Sequence, residues 1–297
     1  MNDLDLSQPL AIAELDQRLQ ASNYFADEGL LTAVQLSVAL GRPLLLEGEP
    51  GVGKTQIANV LAAVLDRELI RLQCYEGLDA AQALYEWDYP RQLLHVRVAE
   101  ASDADVGDLY DPSFLMERPL LKAVRSEGAV LLIDEIDRAD SEFEAFLLEF
   151  LSEFSITVPE VGTISAAVPP IVVLTSNRTR ELHDALKRRC LYHWIPFPEP
   201  ARERAIIQAQ VPGISAEAAQ SLVDAINGTR KLGLTKRPGI AESVEWSRAV
   251  QMLADGGNPW PVALRRALGL LVKEEEDLAQ VQQHADDLFG PVGASRA

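Results

Sequence analysis

The chain has 297 residues, 47% of them apolar and 24% charged, with a formal charge of −18. That length holds a sizeable core, enough for one domain of moderate size plus a smaller one, and the composition is that of a globular protein in water. So large an excess of acid disfavours a grip on a nucleic-acid backbone by bulk electrostatics and points instead to basic or polar protein partners. The two cysteines, Cys74 and Cys190, stand far apart with no C-x-x-C or Cys/His spacing for zinc, so buried, reduced thiols are expected. The start, Met1-Asn2-Asp3-Leu4-Asp5, is acidic and does not read as a leader. No apolar run approaches the ~18 residues needed to cross a bilayer, and a cytoplasmic location is the expectation.

In chain order, residues 10–22 and 29–40 read as helices, the second stopping at Gly41 with Pro43 just beyond. Pro43-Leu44-Leu45-Leu46 suits a buried strand. It runs into Gly48-Glu49-Pro50-Gly51-Val52-Gly53-Lys54-Thr55, a G-x-x-x-x-G-K-T sequence, and then into Gln56 and an apolar helical repeat through Ile57, Val60, Leu61 and Val64. A strand before this motif and a helix after it are the context of a phosphate-binding loop. Its glycines let several N–H groups turn toward one anion, and the helix adds its positive end. Lys54 is placed for the β- and γ-phosphates of a nucleotide, and the Thr55 hydroxyl for Mg²⁺. Leu69–Gln73 reads as a second strand.

Residues 75–110 are irregular. Asp79–Trp87 reads as one helical piece broken by Tyr89-Pro90-Arg91, Leu93–Val98 as a strand, and Ala101–Gly107 as a polar turn. The region is either a surface insertion or an element that works on a partner. A helix resumes near Arg118. Ala129–Ile133 is then a strand apolar on both faces, ending in Asp134-Glu135. Carboxylates at the C-terminal edge of an open α/β sheet lie where ligands bind. Asp134 fits the Mg²⁺ shell, and Glu135 fits a base that polarises a water against the γ-phosphate.

Ser141-x-x-Glu144 reads as a capping box. It opens a helix whose Phe143, Phe146, Leu147, Phe150, Leu151 and Phe154 share one face, which is core packing. Residues 155–168 read as a hairpin turning at Pro159 and Gly162. Ile171–Ser176 is a further buried strand closed by Asn177, an amide that can orient water or cap a helix. Glu181–Arg189 is a short helix whose Lys187-Arg188-Arg189 either complements the helix dipole or supplies an arginine finger. Leu191–Ile195 is the fifth strand, and prolines 196, 198 and 200 mark a boundary. The remainder reads as helices at 201–210, 215–228, 240–254, 260–272 and 276–288. Lys236 and Arg237 stand just before a helix start, an unfavourable place for cations unless an anion or acidic partner compensates. Glu274-Glu275-Glu276-Asp277 reads as a solvated helix start.

The ordered set of phosphate loop, Asp-Glu strand, Asn-ended strand, Arg-ended helix and helical C-terminal region resembles the AAA+ ATPases. Within them it resembles the MoxR family, especially the branch tied to maturation of metalloenzymes such as carbon monoxide dehydrogenases. The closer likeness is carried by Leu148-Glu149-Phe150-Leu151 through Val158-Pro159-Glu160, by Ala185-Leu186-Lys187-Arg188-Arg189-Cys190, and by Lys236-Arg237-Pro238-Gly239-Ile240-Ala241-Glu242. The resemblance implies a P-loop NTPase αβα sandwich with a five-stranded, mainly parallel sheet over residues 1–198 and an all-helical lid over 199–297. The 75–110 insertion and the 155–168 hairpin would both lie in the α/β core. It further implies that Asn177 is sensor 1, that Arg189 (or its neighbour Arg188) is the finger acting in trans, and that Arg237 (or Lys236) is the sensor 2 cation. The Lys236–Gly239 stretch departs from the serine-proline-arginine form of many relatives. ATP and Mg²⁺ are implied, with a homo-hexameric ring, a partner carrying a von Willebrand factor A domain, and a metalloenzyme client. Remodelling of that client on ATP hydrolysis is the leading reading. A nucleotide-dependent assembly scaffold with little turnover is the second, and a DNA-directed motor, disfavoured by charge, the third.

Overall fold

A computed structural model describes residues 11–101 and 109–291. The acidic start Met1–Asp5 and all but the first residue of the expected turn at 101–107 lie outside the described residues. The chain divides into two compact units. One comprises residues up to Arg18, Asp27–Glu47 and Thr55–Trp194; the other comprises Leu19–Ala26, Gly48–Lys54 and the chain from Ile195 onward.

The strands are β1 (Leu44–Gly48), β2 (Leu69–Gln73), β3 (Tyr85–Trp87), β4 (Leu115–Glu117), β5 (Val130–Asp134), β6 (Ser155–Val158), β7 (Gly162–Ser165), β8 (Ile171–Ser176) and β9 (Leu191–Ile195). Five of them make one sheet in the order β2-β5-β8-β1-β9. The β2–β5, β5–β8 and β8–β1 pairs are parallel, so these strands end on one edge. There Gln73 lies in register with Asp134, and Glu47 with Ser176. β1 and β5 are buried along their whole length, as unbroken apolar runs require in a sheet covered on both faces. The expected α/β architecture with a five-stranded sheet and a helical C-terminal region is what the structure contains. The predicted hairpin is β6–β7, antiparallel from Ser155↔Ser165 to Val158↔Gly162.

The core of the α/β unit joins Leu45, Leu131, Ile133 and Leu174 to Phe143, Leu147, Phe150 and Leu151. Phe146 and Phe154 pack against it partly buried, so the phenylalanine stripe is core as expected. The helical unit has its own core around Trp246, Leu222, Ile226, Leu264 and Phe289. Its helices are Pro200–Gln210, Ala216–Arg230, Ile240–Asp255, Trp260–Arg266, Leu268–Leu271, Glu275–Gln283 and Ala285–Phe289. The expected helices at 260–272 and 276–288 are each two pieces. Glu203 and Arg230 form a bidentate pair, 2.8 Å on both arms, with side chains 1% and 8% exposed. Arg230 also donates to the Pro238 carbonyl at 2.9 Å and lies over the Phe197 ring.

Four local expectations are corrected. Residues 93–98 are not a strand but the middle of a helix, Tyr89–Ala101. Pro90 sits in its first turn, where a missing N–H costs nothing. Gln92 and Ala99, two turns apart, face inward, while Leu93, Leu94 and Val98 are exposed. The piece before it is a helix, Ala80–Leu84, followed by β3 rather than one helix to Trp87. The cap of the helix Ser141–Glu153 is Asp140, whose carboxylate accepts the Phe143 N–H at 2.8 Å. Glu144 cannot reach back as a capping-box partner because it is fully buried, accepting the His183 N–H at 2.9 Å and pairing with Arg180. Nor is Asp277 solvated. It is 2% exposed and accepts the N–H groups of Thr235 and Lys236, each at 2.9 Å.

Candidate nucleotide site

The loop leaving β1 carries Gly51 at φ 76° and Gly53 at φ 95°, a region costly for any residue with a Cβ. Glu49 and Pro50 are exposed, while Val52 is buried. Lys54 opens the helix Lys54–Val64 and is 7% exposed; its ammonium donates to the carbonyls of Gly48 and Glu49, both at 2.8 Å. In the same unit the loop meets the turn after Arg237. The Ile240 N–H donates to the Gly51 carbonyl at 2.8 Å, and a Cβ on Gly239 would stand 2.8 Å from the Gly51 Cα. Only glycine at 239 permits that approach. Lys236 and Arg237 are themselves exposed, with the backbone of Lys236 anchored on Asp277.

In the α/β unit the edge of the sheet gathers Thr55, Asp134, Glu135 and Asn177. The Thr55 hydroxyl donates to Asp134 Oδ1 at 3.0 Å, Thr175 donates to the same oxygen at 2.5 Å, and Arg71 pairs with Oδ2 at 2.6 Å. Asp134 is 3% exposed. Glu135 follows in a left-handed turn, φ 55° and ψ 50°, its N–H held by the Thr175 hydroxyl at 2.9 Å. Its carboxylate accepts from Asn177 Nδ2 at 3.3 Å and Gln73 Nε2 at 3.2 Å, and pairs with Arg138 at 2.9 Å. Asn177 caps no helix, since the next begins only at Asp184. Its N–H donates to Asp137 Oδ1 at 3.2 Å, and Asp137 also accepts the N–H and hydroxyl of Thr179. Burial pushes the Asp137 carboxyl upward, but these hydrogen bonds outweigh it and hold it below the ordinary range.

Exposed Gln56 lies one residue into the helix from Thr55. Arg188 and Arg189 close the exposed last turn of the helix Asp184–Arg189. Arg189 donates to Ser152 Oγ at 2.9 Å, and Arg42 donates to the carbonyls of both arginines. The structure therefore brings Thr55, Asp134, Glu135 and Asn177 together, and leaves Arg188 and Arg189 outside that cluster. Arg71, Gln73, Arg138 and Thr175 were not singled out from the sequence. The register Gln73↔Asp134 could have named Gln73, but only once the strand order was known.

As to Mg²⁺, a hydroxyl and a carboxylate sharing a hydrogen bond at a strand end are the hard oxygen donors that ion takes alongside water and phosphate. Among the described residues no group of three or more His, Cys, Asp or Glu could hold a metal by itself, and a phosphate-bridged Mg²⁺ needs no such group.

A glycine-rich loop opening a helix, whose Thr55 is hydrogen-bonded to the Asp of a buried strand ending in Asp-Glu, is the pattern of a P-loop nucleotide hydrolase. Residues 43–190 match the family model of the AAA domain, dynein-related subfamily, so the chain carries the domain of a nucleotide-hydrolysing AAA+ protein. It is 24% identical over 265 residues to an uncharacterised protein of Staphylococcus saprophyticus, covering 86% of this chain and 94% of that one. It is 27% identical over 208 residues to protein NorQ of Paracoccus denitrificans, covering 67% of this chain and 69% of NorQ. Among solved structures, a mutant of RuvB from Thermotoga maritima matches with a TM-score of 0.50 at 17% identity, over 99% of this chain and 83% of that one. That likeness concerns the fold. No helix among the described residues is long and apolar enough to cross a membrane.

Proposed function

We propose that this protein is an ATPase of the MoxR type that remodels a client protein on hydrolysis. The observation that carries the reading is the Thr55–Asp134 hydrogen bond of 3.0 Å, with Glu135 next in the chain and bonded to Asn177. In this reading the loop N–H groups of residues 48–55, Pro50 excepted, and the Lys54 ammonium bind the phosphates of ATP. Thr55 and Asp134 hold Mg²⁺, which when bound neutralises charge on the phosphate oxygens. Glu135 takes a proton from the attacking water, and Asn177 orients that water as sensor 1. Gln56 flanks the loop. Arg189 or Arg188 serves the site of a neighbouring subunit in a hexameric ring, and Arg237 or Lys236 is the sensor 2 cation. Domain bounds of 1–198 for the core and 199–297 for the lid belong to the same proposal.

The similarity to NorQ supports the MoxR assignment. With it come a von Willebrand factor A domain partner, a metalloenzyme client whose metal is installed or assembled, and a cytoplasmic location. One observation favours low turnover by the isolated protein, closer to an assembly scaffold. The Glu135 carboxylate is already engaged by Arg138, Gln73 and Asn177, so it must be released before it can act on water. Glu135→Gln is expected to keep ATP binding and to lower hydrolysis by about 10²–10⁴, measured as phosphate release beside equilibrium nucleotide binding. Unchanged turnover would remove Glu135 from its role.

A further inference from the structure

At the edge of the sheet where β1, β5 and β8 begin, away from the residues that end those strands, lies a surface cavity of about 400 Å³. Its walls include Leu40, Val168, Pro169 and Pro170, and two arginines, Arg42 and Arg67, line it. No Asp or Glu among the described residues lines it. Among the described residues neither arginine is paired with a carboxylate, although the chain has 45 acidic residues. Both groups are held in place by carbonyls. Arg67 donates to Gly128 O at 2.6 Å, and Arg42 donates to Arg188 O at 2.7 Å and to Arg189 O at 3.3 Å. Those bonds use part of each donor fork and leave N–H groups over for an anion. Arg67 is partly buried, and burial lowers its pKa, the mark of a cation without a compensating charge.

The apolar side of the cavity is unusually open. Leu40 is 60% exposed and Val168 43%, and Leu36, one turn earlier on the helix Glu28–Leu40, is 41% exposed. We propose that this cavity is a docking site for an acidic, apolar peptide segment of a partner protein. A carboxylate of that segment meets Arg67 and Arg42, and a neighbouring leucine-like side chain enters between Leu40 and Val168. A small organic acid would fill the cavity but leave Leu36 and the rim in water, whereas an extended segment covers both. Two arginines fixed in advance cost little ordering on binding, and their planar forks suit carboxylate oxygens. The volume takes one or two side chains, at the lower end of ligand pockets.

The probe is a fluorescein-labelled peptide with a Glu-Leu-Asp-Leu core, titrated into the full chain by fluorescence anisotropy beside a Gln-Leu-Asn-Leu control. Saturable binding of the acidic peptide is expected, at least about tenfold tighter than the control and weakening with salt. It should weaken about tenfold in Arg67→Gln and likewise in Leu40→Ser. Leu40 is exposed, so its variant folds even if Arg67→Gln does not. Equal binding of the two peptides, or binding indifferent to both substitutions, overturns the proposal. So does 4-methylpentanoate binding as tightly as the peptide, which would make this a small-acid site. A light-scattering mass that falls in Leu40→Ser also overturns it, in favour of an interface between copies of this chain.

Discussion

At the scale of single residues, the edge of the sheet is organised around Asp134. One of its oxygens takes two hydroxyls and the other a guanidinium, which is how a carboxylate only 3% exposed keeps its charge compensated. Lys54, Thr55, Asp134, Glu135 and Asn177, to which the proposed chemistry is assigned, were legible in the chain because each sits at the end of an apolar run or in a glycine-rich motif. Arg71, Gln73 and Thr175 were not, because what places them is a neighbouring strand. The same acids act on Cys74. Burial first, and then the negative charges of Asp134, Asp137 and Glu135, push its thiol up to about 12, and burial pushes Cys190 to about 12 as well. Both thiols are free and buried, as expected from the sequence. An aromatic disulfide reagent at pH 8 should therefore react slowly with the folded chain and rapidly with two thiols in urea. Two fast equivalents in the folded chain would contradict the burial. The pH dependence follows. An unfolded chain loses these protons near pH 8.5, so the stability they contribute is whole below that value and is lost as pH rises toward about 12.

At the scale of elements, two local readings failed for one reason. The run Leu93–Val98 is apolar enough for a strand, and Pro90 looks like a break, but the helix Tyr89–Ala101 turns Leu93, Leu94 and Val98 outward and accommodates Pro90 in its first turn. Short apolar runs do not distinguish the two structures. Likewise Ser141-x-x-Glu144 has the spelling of a capping box, yet Asp140 is the cap, because Glu144 is drawn inward by the His183 N–H and Arg180. Asp140→Ala should cost about 1 kcal/mol in a urea melt. Ser141→Ala should cost distinctly less, and the reverse order would return the cap to Ser141.

At the scale of the whole molecule, each unit has its own apolar core, and the helical one also rests on a buried ion pair. Arg230 joins Glu203 to the Pro238 carbonyl and lies over Phe197. Arg230→Ala leaves the Glu203 charge buried and alone, and should cost about 3–5 kcal/mol by thermal or denaturant unfolding. A loss under about 1 kcal/mol would show that water reaches the pair. Assembly carries the other prediction at this scale. If a neighbour completes the site, hydrolysis per chain rises with protein concentration alongside the light-scattering mass. Arg189→Ala should then assemble yet hydrolyse more slowly, by on the order of 10³. If Arg188→Ala carries that loss instead, the neighbouring arginine is the finger. If neither does, the site is complete within one chain.

By itself the sequence determined what short-range physics controls. It specified that the runs at Leu44–Leu46, Val130–Ile133 and Ile171–Leu174 are strands, where glycines shape the loop before a helix start, and which strands end in acids or an amide. It also showed that the region after Pro200 is helical. Tertiary structure alone decided the strand order that sets Gln73 beside Asp134, the inward pull that makes Glu144 a buried acceptor, and the anchoring of the Lys236 turn on Asp277. Those outcomes depend on which residues from distant parts of the chain compete for the same donor or the same buried volume, and no local pattern records that competition.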